Sequence, residues 1–233
     1  HEIKISDYFL TWGWKSNENV VPSFLHKHLR KKINHYNGGK YLIFINYSCP
    51  KHDFRISPSL MSTDMDKYID SQSSFFKNIR SEIKEKVKVR LYVDDFNWGT
   101  KKKLDRELYG FNYSSKSYDQ DLKRAKIIVP TYNSTTILES LALNIPTVAL
   151  FDPMAEKYNE NSLQYFRKLF DAKIIHYDYK SASNFINSIW NDVDSWWNSK
   201  NVKRAKSLFV KKFANLEKNS SIKFKNQIIE LLK

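Results

Sequence analysis

The chain has 233 residues, 41% hydrophobic and 15% aromatic, enough apolar surface to close a core in one large or two small domains. Its 39 Lys and Arg against 25 Asp and Glu give a formal net charge of +14, which implies an anionic partner: nucleic acid, a phosphorylated substrate or the inner leaflet of a membrane. The single cysteine, Cys49, excludes an internal disulfide framework and zinc sites built on cysteine pairs, and no run of 18 apolar residues reads as a membrane span.

The opening HEIKISDYFLTWGW alternates through Ile3, Ile5, Tyr8 and Leu10, predicting a strand that ends in a tight turn at Trp12-Gly13-Trp14. A chain that starts mid-pattern without methionine is expected to be a fragment. With no basic-then-apolar leader in view, a cytoplasmic protein is expected. The basic segment up to Gly39 has no defined pattern, and Asn37-Gly38-Gly39 marks a loop before Tyr41 to Tyr47, a buried strand. Ser48 to Pro58 is a loop at its carboxyl end, and Cys49 there is a small buried residue. Asp66 to Lys86, with Tyr68, Ile69, Phe75, Phe76, Ile79 and Ile83 on one face, reads as a helix leading to the strand Val87 to Val93. A polar and basic loop then runs to Lys116, followed by a helix near Asp119 to Arg124.

The stretch Ala125 to Leu150 carries the most information. Ile127, Ile128 and Val129 form a buried parallel strand, and Tyr132, Asn133, Ser134, Thr135 and Thr136 a hydroxyl-rich turn. Ile137, Leu138, Leu141 and Ala142 repeat at helical spacing until Asn144 and Pro146 stop the helix, and Thr147 to Leu150 is again a strand. Such a unit presents a helix N-terminus and its free N–H groups at the strand's carboxyl end, where an anion binds. The hydroxyls either cap the helix or, with those amides, hold a phosphate, while Glu139 one turn on is placed to accept from a ribose hydroxyl. Neither G-x-G-x-x-G nor G-x-x-x-x-G-K-[ST] occurs, so ordinary dinucleotide and P-loop readings lose their support.

Beyond Leu150, Phe151-Asp152-Pro153 makes another strand-end loop, Asn161 to Phe170 a helix, Lys173 to His176 a short strand and Ala182 to Trp190 a helix. Five or so strands alternating with helices predict a doubly wound parallel α/β sheet with ligands at strand carboxyl ends. Asp194 to Lys233 reads as terminal helices rich in aromatic residues. Arg90 with Asp94 or Asp95 is either a phosphate-and-sugar contact or a structural ion pair. Trp12, Trp14 and Trp98 are either a cover for a sugar or base, or core. His176 is placed near a cleft or is a satisfied structural histidine. No histidine has the spacing of a metal motif.

Four segments, FLTWGW, KVRLYVDDFNW, YNSTTILESLALNIPTV and the SWW of Ser195–Trp197, together resemble the carboxyl-terminal part of the LIC12162-type sugar transferases of bacterial O-antigen and surface polysaccharide clusters. The Y-x-S-T-x-x-L-E segment is also similar to other two-domain (GT-B) transferases, including Kdo transferases and CDP-glycerol glycerophosphotransferases. The resemblance implies one Rossmann-like half of a GT-B fold: a leading strand and interdomain segment over 1–39, a nucleotide-donor-binding domain over 40–193, and C-terminal helices over 194–233 that pack on the sheet or on a missing N-terminal domain. It implies a nucleotide-sugar donor as substrate, with no cofactor or metal, and a glycan or lipid-linked acceptor. Tyr132, Asn133, Ser134, Thr135, Thr136 and Glu139 are then expected near the donor's phosphate and ribose, joined by Arg90, Asp94 and Trp14. Related transferases often carry His-Pro after the Arg90 strand, where this chain has Tyr92 and Val93. The family's amino-terminal histidine-glycine motif is expected to precede His1, so this piece is expected to bind nucleotide without transferring sugar, its catalytic residues unassigned. Contact with an anionic membrane at the cytoplasmic face is expected, and specific nucleic-acid binding is not. A glycerophosphate-type phosphotransferase and a basic nucleic-acid-binding module are the alternatives.

Overall fold

The computed structural model describes residues 2–29, 38–52, 61–107, 112–151 and 160–233. The first turn of chain is helical, α1 (Glu2–Ile5), where alternation predicted a strand. Ile5 is 72% exposed, so no burial rewards an extended form, and the turn is closed by Ser6 Oγ donating to the Glu2 carbonyl and by Asn19 Nδ2 donating to the carbonyls of Ile3 and Ser6. The strand comes later, as β1 (Phe9–Thr11), paired in parallel with β2 (Val20–Pro22). Gly13 between them has φ +132, and a Cβ there would lie 2.4 Å from the Lys211 carbonyl oxygen, so glycine lets this pair sit against the carboxyl end of a late helix.

The main sheet is parallel. Its centre is β3 (Tyr41–Ile45), flanked by β4 (Val87–Arg90) and by β6 (Ala125–Pro130), with β5 (Asn112–Tyr113) outside β4. A bridge from Ile128 to Thr147 carries the sheet on to β7 (Ala149–Leu150), which pairs with β8 (Ile175–His176). Counted from β3 as the first strand, the spatial order is 3-2-1-4-5-6, so the direction of winding reverses between β3 and β6. Near-continuous Leu, Ile, Val and Phe in β3 and β6 fit strands buried on both faces.

Residue alternation assigns the faces. Leu42, Phe44, Val87, Val89, Ile127 and Val129 pack with α2 (Met65–Asn78), α3 (Ser81–Lys84) and α8 (Tyr179–Ile189). Ile43, Ile45 and Ile128 turn the other way, onto α5 (Tyr118–Arg124). On that side α6 (Thr135–Ala142), α7 (Glu160–Asp171), α9 (Val193–Trp197) and α10 (Lys200–Phe213) enclose a second core with Ala149 and Ile175, while α11 (Ser220–Leu231) follows at the surface. The fold is therefore a Rossmann-like, doubly wound α/β unit with C-terminal helices packed on it.

Two further local readings change. The long helix expected over 66–86 is broken after Asn78, where Asn187 of α8 inserts, its Nδ2 donating to the Asn78 carbonyl and its Oδ1 accepting from the Arg80 amide. The loop expected up to Lys116 contains α4 (Thr100–Glu107) and β5; Leu104 is the single apolar residue of α4, so it has no apolar periodicity to read. Asn144 does end α6, at φ 59, and its side chain accepts from the buried Trp197 indole at 3.1 Å. Asp152 and Pro153 lie outside the described residues.

Phe44 is fully buried at the centre, with the rings of Phe75 and Phe76 at 4.9 and 4.6 Å. Phe44→Ala is expected to cost about 3–5 kcal/mol in urea denaturation, and a loss below about 1 kcal/mol would contradict this packing.

Candidate functional site

At the carboxyl ends of β3 and β6 the winding reverses and the two following loops leave in opposite directions, the position at which doubly wound sheets bind ligands in a crevice. Tyr68 of α2 pins them together. The Tyr47 amide donates to the Tyr68 hydroxyl oxygen at 2.8 Å, the Tyr68 hydroxyl meets Thr131 Oγ1, and Thr131 Oγ1 donates to the Ile45 carbonyl at 2.7 Å. With the Thr131 proton committed to Ile45, the Tyr68 hydroxyl is the donor in the middle link, so the chain of donors runs one way. Burial pushes the Tyr68 hydroxyl well above its ordinary 10, keeping it neutral and able to donate.

Past Thr131 the hydroxyl-rich turn opens α6. Ser134 is its N-cap by backbone geometry, but the side chain makes no capping bond, and its buried Oγ has no aligned partner. Ser134 lies close enough to the Tyr132 hydroxyl to favour its ionised form slightly, against the dominant effect of burial, which raises it. The Ile137 amide is satisfied by the Ser134 carbonyl; those of Thr135 and Thr136 have no partner among the described residues. Thr135 is exposed and Tyr132, Asn133 and Ser134 are half-buried, so the first turn of α6 is open to a ligand, whereas Thr136 is buried. The arrangement of free amides, a helix dipole and an unsatisfied hydroxyl can hold a phosphate.

The other expected site residues are held elsewhere. Glu139 is 2% exposed and its carboxylate faces the N-terminal segment, with Lys27 Nζ at 2.8 Å and His28 Nε2 at 3.2 Å. Burial raises this carboxyl, but His28 and Lys27 together outweigh it and hold it below the ordinary 4.5. Arg90 turns away from Asp94 and Asp95 to the fully buried Asp121, 3.0 Å away, which also binds Arg124 and Ser114. Arg90 is thus the structural cation that keeps a buried carboxylate paired. Asp94 accepts from the Phe96 amide in a tight turn, and Trp14 packs on Phe9 at 6.2 Å. His176 is a satisfied histidine: Nε2 donates to the Lys173 carbonyl and Nδ1 accepts from Ser181, and burial lowers its pKa.

Residues that sequence reading did not single out complete the edge. Tyr47 packs at a tilt against Tyr132 at 4.6 Å and edge-on to Tyr92 at 5.7 Å, so three tyrosines from the ends of β4, β3 and β6 form one crest. Burial first, then the neighbouring Cys49 and tyrosines, push the Tyr47 hydroxyl up to about 12. A cleft of about 760 Å³ opens one strand over from α6, and Tyr47 borders both. Three strand ends in tyrosine, Tyr47, Tyr92 and Tyr132, were the available signal.

Tyr68→Phe is expected to strand the Tyr47 amide and cost about 1–3 kcal/mol in chemical denaturation, while a neutral result would remove the pin. Because the folded pKa of Glu139 is depressed, its stabilisation is fully present above about 4.5 and is lost as pH falls through the lowered value. Glu139→Gln should therefore show a shallower acid loss of stability than the parent; parallel curves would contradict the ion pair.

A search of curated proteins found no match. The model of the LIC12162 family transferases matches residues 1–228, nearly the whole chain, with the crevice inside the match. The chain belongs to the LIC12162 transferase family.

Proposed function

We propose that this transferase chain binds a nucleotide-activated sugar and serves as the donor-binding half of a GT-B glycosyltransferase in bacterial surface polysaccharide (O-antigen) assembly, at the cytoplasmic face of the membrane. The observation that carries the reading is the open first turn of α6 at the switch point, with the unpartnered amides of Thr135 and Thr136 beside the unsatisfied Ser134 hydroxyl. A diphosphate takes both the amides and the hydroxyl, and the same groups stabilise the charge that develops on it as the sugar departs. Tyr132 and Tyr47 supply the ring faces beside it for a base or sugar. Asn133 lies in the same turn, on the approach to the phosphate. The acceptor, glycan or lipid-linked, meets the donor from the side that a facing domain would close.

Calorimetric titration of CMP, CDP, UDP and GDP tests the reading. One nucleotide is expected to bind in preference, and Ser134→Ala/Thr135→Ala to lose about 1–3 kcal/mol of its affinity. A folded chain that binds none of them, or binds all alike and unaffected by the substitutions, would overturn it.

A further inference from the structure

Helix α4 carries two cations that the fold does not pair among the described residues. Its first turn, Thr100-Lys101-Lys102-Lys103, contains no acidic residue, although the positive end of the helix dipole favours one there. Lys102 and Arg106 then stand four apart, a like-charge pair that weakens an isolated helix. The neighbours do not neutralise them. Lys101 is paired with Asp105 at 2.7 Å, and Asp105 also accepts from the Tyr113 hydroxyl. Lys103 is paired with Asp66. Both carboxylate oxygens of Asp95 are taken by the amides of Gly99 and Thr100, at 2.6 and 3.1 Å. Asp94 is bonded to the Phe96 amide. Among the described residues, Lys102 and Arg106 are left without an acidic partner.

Both line the cleft of about 760 Å³, whose walls also include Tyr47, Tyr92, Asn46 and Thr100 and the two carboxylates already engaged, Asp95 and Asp105. Two of these are deeply buried polar residues with unspent capacity: Thr100, 3% exposed, has an unpartnered hydroxyl that can donate to an anion, and Asn46, 1% exposed, an unpartnered carbonyl oxygen that can accept only from a hydroxyl of the attached sugar. The amides of Lys101 and Lys102 likewise have no partner among the described residues. The cavity is thus lined along the length of α4, by Thr100, the free amides and Lys102 at its start and by Arg106 in its last turn.

We infer that this cleft is a second anion subsite, separate from the α6 turn, that takes an oxyanion carried by a sugar: the phosphate of a sugar phosphate or the carboxylate of an acidic sugar. Arg106 would grip the oxyanion through its fork and Lys102 act as a point charge, with the Tyr92 ring against the sugar. The inference deepens the transferase reading, because an anionic glycosyl substrate would span from α6 over Tyr47 into this cleft, yet it stands on different residues and is tested apart from it.

The test is an amide NMR titration of the whole chain with glucose 1-phosphate, glucuronate and, as control, glucose. Saturable shifts in Thr100–Lys103 with either anion and none with glucose are expected, and which anion binds tighter identifies the source of the charge. Lys102→Glu/Arg106→Glu should weaken that binding at least ten-fold, and Thr100→Val several-fold, with the spectrum outside α4 unchanged to show the fold is kept. Shifts confined to Tyr132–Thr136, an equal response to glucose, or undiminished binding by the double variant would overturn the subsite. Nucleotide shifts at Thr135 and Thr136 report on the donor site separately, so either assignment can fail alone.

Discussion

The parallel pairing of β3 with β6 is the constraint on which the rest depends. These strands are not neighbours in sequence, so pairing them sends the chain outward in one direction through β4 and β5 and in the other through β7 and β8. The loops that leave their carboxyl ends must therefore part, which is where sheets of this winding place a ligand crevice, here without any glycine-rich loop. Close approach at the other end of the same pair is met by Gly39, where a Cβ would lie 2.0 Å from the Ala125 carbonyl oxygen. Tyr68 then sets the width of the crevice by bonding to both sides of it.

The large positive charge resolves into two populations. Many cations are spent internally: Arg90 and Arg124 on buried Asp121, Lys27 on Glu139, and Lys206 over the Trp197 ring at 4.2 Å and against Asn144. Burial, aided by Lys203, lowers the Lys206 ammonium to about 8, which marks how far that group has left water. These contacts tie the N-terminal segment to α6, α5 to β4 and α10 to the turn after α6, so their cations are already engaged within the fold. The remainder matters where it is uncompensated and beside a cavity, as on α4. Net charge alone therefore says little about the partner, because its effect depends on which carboxylates are already occupied.

The sheet was legible because its inner strands announce themselves. YLIFI and IIV are apolar on both faces, and the β-turn-α-β stretch from Ala125 carries its caps and stops in the expected places. What was not legible lacks that signal. Helix α4 buries a single leucine, β5 is two residues long, and α1 has an alternating pattern with nothing to bury it against. For the site, the turn at Ser134 could be placed from residue types, since hydroxyls before a helix have a local meaning. The partners of Arg90 and Glu139 could not, because Asp121 lies 31 positions from Arg90, and Lys27 lies 112 from Glu139. Sequence shows which side chains can pair and leaves the fold to decide which do.

The occupied state of Glu139 changes how the crevice is built. A carboxylate placed one turn into α6 would ordinarily oppose a phosphate bound at the helix start, since like charges a few ångströms apart repel strongly in a dry environment. Lys27 and His28 remove that opposition by facing the carboxylate from the N-terminal segment. The same contacts tie residues 26–28 to α6, so the segment before the sheet and the helix that follows the hydroxyl-rich turn are positioned by one interaction. The N-terminal segment thus acts on the crevice through electrostatics from behind, while the open face in front is left to Thr135, Ser134 and the tyrosine crest.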